Sequence, residues 1–152
     1  MADKTDKTVA EEPQAPAFPE TWDELRADPL YETLPDLVPA NEFTPSQSAL
    51  FAVTDARLTE RLEKLSKTGV FDADESRREK ADAVQATLLL AEYVEYASGF
   101  YRELAKEKDA WDEWVKGRSV FDSYRVLLGL HRFYTDQLGK SSASKTRSAN
   151  AA

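Results

Sequence analysis

The sequence predicts an all-α fold: a small bundle of about four helices, with a disordered N-terminal arm before it and a disordered C-terminal tail behind it. Three observations carry that expectation. All seven prolines fall between Pro13 and Pro45, so everything after Pro45 lacks the residue that most strongly breaks helices. Apolar residues in that part recur at three- and four-residue steps, the spacing of a helix face. No alternating run of β-branched residues reaches strand length.

Four segments follow in order. Residues 1–20 form an acidic, proline-containing arm that cannot bury much surface. Pro13-x-x-Pro16 and Pro16-x-x-Pro19 match the minimal polyproline recognition spacing, but that pattern is common and a linker is the plainer reading. Residues 21–43 hold a short helical turn and an extended piece. Thr21 caps the turn, Glu24 reaches back and Pro29 ends it. Trp22, Leu25, Leu30, Tyr31, Leu34 and Leu37 are too many apolar groups for a free linker. They pack on the body or fold when a partner arrives.

Residues 44–138 are the helical domain. Thr44-Pro45 reads as an N-cap with proline at the first helical position. Phe51, Leu58, Leu62 and Leu65 share a face, and Gly69 supplies a left-handed stop. A single long helix is expected over roughly 74–106. Leu90, Val94, Ala97, Tyr101 and Leu104 make one stripe. Leu89, Tyr93, Tyr96 and Phe100 make a second, and Val84, Leu88 and Ala91 a third. A helix apolar around most of its girth must be covered on most sides. Asp109 is the expected cap of a short helix carrying Trp111, Trp114 and Val115, ended at Gly117. Ser119 or its neighbour starts the last helix. Val120, Tyr124, Leu127, Tyr134 and Leu138 lie on one of its faces, and Val126, Leu130 and Phe133 on another. Residues 139–152, beginning at Gly139, form a polar tail without an apolar anchor.

Charge is unevenly distributed along this plan. Residues 1–42 hold 11 acids and 3 bases, residues 43–138 hold 17 and 14, and residues 139–152 hold 3 bases and no acid. The acidity therefore sits in the arm, which would repel a phosphate backbone, so no nucleic-acid partner is expected. The stretch Met1–Lys7 lacks the apolar core of a signal peptide. The most apolar stretch is interrupted by Gln85, Glu92 and Glu95, so no membrane span is expected. Without cysteine there is no disulfide or thiolate site, which fits a reducing compartment.

The residues offer no assembled chemistry. His131 is the only histidine and lacks a Glu-x-x-His partner, so it reads as a structural imidazole. Asp72, Asp74 and Ser76 begin like a calcium loop, but Arg77 and Ala83 stand where glycine and glutamate are needed. Those acids read instead as the cap of the long helix. The five glycines stand singly, so no phosphate loop exists. The expectation is no catalytic residue, no cofactor and no metal, hence no enzyme. The aromatic and apolar excess points to contact with another polypeptide, a second copy or a client. Leu89, Tyr93, Tyr96, Phe100, Trp111 and Trp114 are the candidate partner-binding residues.

Two stretches resemble one family. The body closes on Phe133-Tyr134-Thr135-Asp136-Gln137-Leu138-Gly139-Lys140 followed at once by a polar tail, and Ala110-Trp111-Asp112-Glu113-Trp114-Val115-Lys116-Gly117 precedes it. Over residues 45–152 the chain resembles the zero-frame tail assembly chaperones of siphophages of actinobacterial type. The resemblance implies that Leu138, Gly139 and Lys140 mark a candidate programmed frameshift position, since leucine, glycine and lysine codons can form a slip-prone run. Leu-Gly-Lys also serves as a plain helix stop. It further implies binding to the tape measure protein and assembly of the tail tube around it. The longer frameshifted product would touch the tube subunit. Both products would act in the host cytoplasm and be absent from the mature virion. The acidic arm departs from the family's N-terminal pattern, and its role stays open. Alternatives are a phage connector or tail completion protein, a helical enzyme, or a non-phage helical adaptor.

Overall fold

The computed structural model describes residues 18–150, with side chains as far as Lys140. Among the described residues there are six α-helices and no strand, as the all-α expectation required. They are α1 (Trp22–Ala27), α2 (Pro45–Lys67), α3 (Glu75–Glu79), α4 (Ala83–Leu104), α5 (Lys108–Val115) and α6 (Val120–Asn150), with one 3₁₀ turn at Ala40–Glu42. Most of the expected acidic arm, including Pro13 and Pro16, lies outside the described residues.

Local chemistry sets most helix starts. Thr21 Oγ1 accepts from the Glu24 amide at 3.1 Å, while the Glu24 carboxylate accepts from the amide of Glu20 at 2.8 Å. At α2 the reciprocal box is complete. Thr44 takes the Gln47 amide and Gln47 takes the Thr44 amide, with Pro45 as the first helical residue. Gly69 and Gly117 both adopt positive φ, 80° and 72°, and turn the chain after α2 and α5. Ser119 Oγ accepts from the Asp122 amide and opens α6.

Three expectations are corrected. The long helix over 74–106 is two helices, broken at Lys80–Asp82. Asp74 caps only the five-residue α3, and Asp82 caps α4 by accepting from the Gln85 amide at 3.0 Å. Asp82 thus holds an extended conformation, with its carboxylate on the amide three residues ahead, and does not continue the preceding turn. The cap position of α5 is Glu107, not Asp109, which lies in the first turn. The tail does not begin at Gly139: α6 runs through it to Asn150, and Gly139 keeps helical φ. A glycine without steric need for the left-handed region costs a helix only about 1 kcal/mol, too little to end one already anchored by Phe133, Tyr134 and Leu138.

The body is a three-helix core of α2, α4 and α6. Contacts order it: Phe51 meets Phe100 and Arg61 meets Tyr96, so α2 runs against α4. Tyr93 meets Tyr124, and Tyr101 meets both His131 and Tyr134, so α4 and α6 run the same way, with α5 in the crossover between them. Both expected faces of α6 are covered. Tyr124, Leu127 and Tyr134 are buried on one side and Val126, Leu130 and Phe133 on the other.

The second cover comes from residues 18–43. This segment straps itself across α6: Trp22 packs on Phe133 at 6.0 Å, and Phe43 stacks on Tyr134 at 5.7 Å. Tyr31 lies over Gly129, where a Cβ would overlap its hydroxyl. The Tyr134 hydroxyl donates to the Val38 carbonyl at 2.7 Å. A bridge pairs Leu37 with Ala105 through the Val38 and Lys106 amides. The strap begins earlier than the expected boundary at residue 20, because the Arg132 guanidinium sits 4.2 Å over the Phe18 ring.

Candidate partner-binding site

The apolar girth of α4 divides three ways. Leu90, Ala97, Tyr101 and Leu104 are buried, with Val94 half-buried beside them. Of the second stripe, Leu89 and Tyr93 are buried, whereas Tyr96 and Phe100 are half-buried. The third stripe stays uncovered: Val84 is 72% and Leu88 56% exposed, and Ala91 is exposed as well. Exposed aliphatics also stand on α2, where Leu50 is 58% and Val53 53% exposed.

Between α2 and α4 the chain leaves an open groove of about 740 Å³. Leu50, Thr54, Tyr96, Gly99 and Phe100 form its floor and walls. Glu92, Glu95 and Glu103 stand along the α4 side, with Arg61 the one cation in the lining. The Arg61 guanidinium lies 4.5 Å over the Tyr96 ring, and its Nε is buried without a hydrogen-bond partner. Gly99 contributes a notch, since nothing lies within 4 Å of where its Cβ would be.

The six candidate residues are thereby separated. Tyr96 and Phe100 line the groove. Leu89, Tyr93 and Trp111 are buried in the interior, away from the groove lining. The Trp111 indole donates to Ser98 Oγ at 3.0 Å, and that bond fixes α5 against α4. Trp114 sits elsewhere, its ring tilted against Trp111 at 5.0 Å and covered by Arg118 at 4.2 Å, and its indole donates to Thr33 Oγ1. It anchors the strap. Leu138 is half-buried and Gly139 and Lys140 are exposed on α6, with Lys140 Nζ 3.5 Å from Glu20. The local spacing of the sequence did not single out Leu50, Val53, Gly99 or Arg61. The signal present was a second apolar step on α2, Leu50 to Val53, beside the Phe51 face.

No family model, curated protein or solved structure matches the chain.

The geometry of the remaining polar groups is structural. His131 Nε2 lies 2.8 Å from Asp55 Oδ1 and its Nδ1 2.8 Å from the Tyr101 hydroxyl. An ionised carboxylate only accepts, so Nε2 carries the proton and Nδ1 accepts from Tyr101. Burial lowers the His131 pKa from its ordinary value, and the bond and charge of Asp55 oppose that shift. Burial also raises the Tyr101 and Tyr134 hydroxyls, so both stay protonated donors. Phe51 stacks on the imidazole at 4.9 Å, while the Asp55 carboxylate at the other end of the relay stays half exposed. The relay ties α2, α4 and α6 together. Arg102 grips Asp112 with two bonds of 2.7 and 3.0 Å, joining α4 to α5, and this holds the Asp112 carboxyl below the usual range. Among the described residues no group of three His, Cys, Asp or Glu could hold a metal ion, and no helix is long and apolar enough to cross a membrane.

Proposed function

We propose that the chain is a non-enzymatic tail assembly chaperone that binds helical segments of a tape measure protein and keeps them soluble while the tail tube assembles. One observation carries the reading: α4 keeps apolar surface that its own fold leaves open, at Val84 and Leu88 and in the groove beside Tyr96 and Phe100. Exposed apolar surface of that kind on a chain with many charges supports a place where another polypeptide sits. The resemblance over residues 45–152 supplies the identity of that polypeptide, and the host cytoplasm as the place of action.

The reading expects a very long open frame downstream of the coding sequence, and the test is co-expression with its product. The client alone should precipitate, and together with this chain it should remain in the supernatant and co-purify. A client that stays insoluble and never co-purifies refutes the chaperone. The coding DNA at Leu138-Gly139-Lys140 should also show a slip-prone run leading into an overlapping frame.

A further inference from the structure

We infer that the α2–α4 groove receives a basic amphipathic helix of another chain; this deepens the proposed function by naming the chemistry of the client segment and rests on that reading. The lining residues on α4 run from Glu92 to Leu104, twelve steps along one face. At helical rise this is about 18 Å, room for roughly three turns of a second helix. The floor is apolar, and the Gly99 notch accepts one large side chain from above. The occupant therefore carries apolar residues at three- and four-residue steps, the pattern by which helices lie in grooves.

Charge selects among occupants. Glu92 and Glu95 make no ion pair among the described residues, and Glu103 has only long contacts of 3.7 and 3.8 Å to Arg102 and Lys108. A helix with Lys or Arg flanking its apolar stripe would pair with these carboxylates, whereas an acidic one would be repelled. The chain's own ends do not fit. Residues 1–17 carry four acids and two bases, and residues 141–152 contain no apolar side chain larger than alanine. A second copy meeting groove to groove would set Glu92 and Glu95 against their own twins. A small molecule would find an open trough with no convergent set of polar groups.

The test uses the full chain and a synthetic helical peptide with leucines at three- and four-residue steps and flanking lysines, compared with one bearing glutamate at every lysine. Binding is read by fluorescence anisotropy. The lysine peptide should bind, more weakly as salt rises, and the glutamate peptide should not. Glu92→Lys with Glu95→Lys should weaken binding about tenfold or more, while the same charge change at Glu75 and Glu79 on α3 should leave it within about twofold. Gly99→Trp should fill the notch and abolish binding, and Gly99→Ala should retain it. Thermal melts of the glutamate variants should match the parent, and the Gly99 variants should melt no lower than it, because these positions are exposed and helical. Equal binding of both peptides, indifference to the groove substitutions, a dimer that Gly99→Trp turns into a monomer, or binding of a small apolar dye without the peptide would each overturn the inference. Client co-purification separates the two readings. If the groove variants still co-purify the tape measure protein, the groove is wrong and the chaperone stands. If the lysine peptide binds but the client never co-purifies, the reverse holds.

Discussion

His131 is the only histidine in the chain, which makes its linkage to stability legible in solution. Its pKa in the fold is lowered chiefly by burial, so between that value and the ordinary 6.5 the unfolded chain takes up a proton that the folded one refuses. Its contribution is complete above about pH 6.5 and is lost as pH falls toward the folded pKa. The slope for one proton cannot exceed about 1.4 kcal/mol per pH unit. Urea titrations between pH 8 and 5 should show the loss in the parent and a flatter, lower line for His131→Gln. Stability that rises on acidification would mean that Asp55 outweighs burial. Gly129 makes a second case at this scale. Alanine normally favours a helix over glycine by about 1 kcal/mol. Here the added methyl would overlap the Tyr31 hydroxyl and stand 2.8 Å from its Cζ. Gly129→Ala should therefore destabilise by about 1–3 kcal/mol in the parent and stabilise in a Tyr31→Ala background. Without that change of sign in the double-mutant cycle, the close approach of strap and α6 is not what glycine serves.

At the scale of elements, the break before α4 depends on one side chain. Removing the Asp82 carboxylate with Asp82→Ala should cost about 1 kcal/mol in urea melts, as should Thr44→Ala at α2. A neutral Asp82→Ala would argue that α3 and α4 separate for another reason. The caps were the part of the fold most readable from residues. Thr21, Thr44-Pro45, Gly69 and Gly117 announce themselves because each uses its own neighbours within four positions. Asp82-x-x-Gln85 carried the same kind of signal, but it lay inside an apolar periodicity that continued past it. Gly139 misled in the opposite way, because composition marks a stop only where packing has ceased to hold the helix. The candidate site was half legible. Tyr96 and Phe100 lie on a stripe visible in α4, while Leu89, Tyr93 and Trp111 share its chemistry and are buried. What distinguishes them is the register of α2 and α6 against α4, and no local spacing encodes the pairing of residues 51 with 100 or 93 with 124.

For the whole molecule, the strap decides how a body this small encloses α6 on two sides while α4 remains open on one. Leu25, Leu34 and Leu37 are buried in the same cluster as Leu58 and Leu130, and Trp22, Tyr31 and Phe43 pack against it. Residues 18–43 are thus part of the core and not a cover laid over a finished bundle. Thr33 takes bonds from both the Trp114 indole and Arg118, and the Val38 and Lys106 amides pair the strap with the end of α4, so the strap is fastened at both ends of the crossover. Leu34 is 1% exposed, and Leu34→Ala should cost about 2–5 kcal/mol, comparable to Leu58→Ala in α2. Because strap and bundle share one interior, circular dichroism and tryptophan fluorescence should follow a single, lowered transition in both variants. Trp22 sits in the strap and Trp111 in the bundle, so fluorescence samples both parts. An early fluorescence change in Leu34→Ala, ahead of an unshifted helical melt, would make the strap a separate unit. In that event the three-helix body would have to hide Phe133 and Tyr134 without it, and the uncovered surface of the chain would include α6 as well as α4.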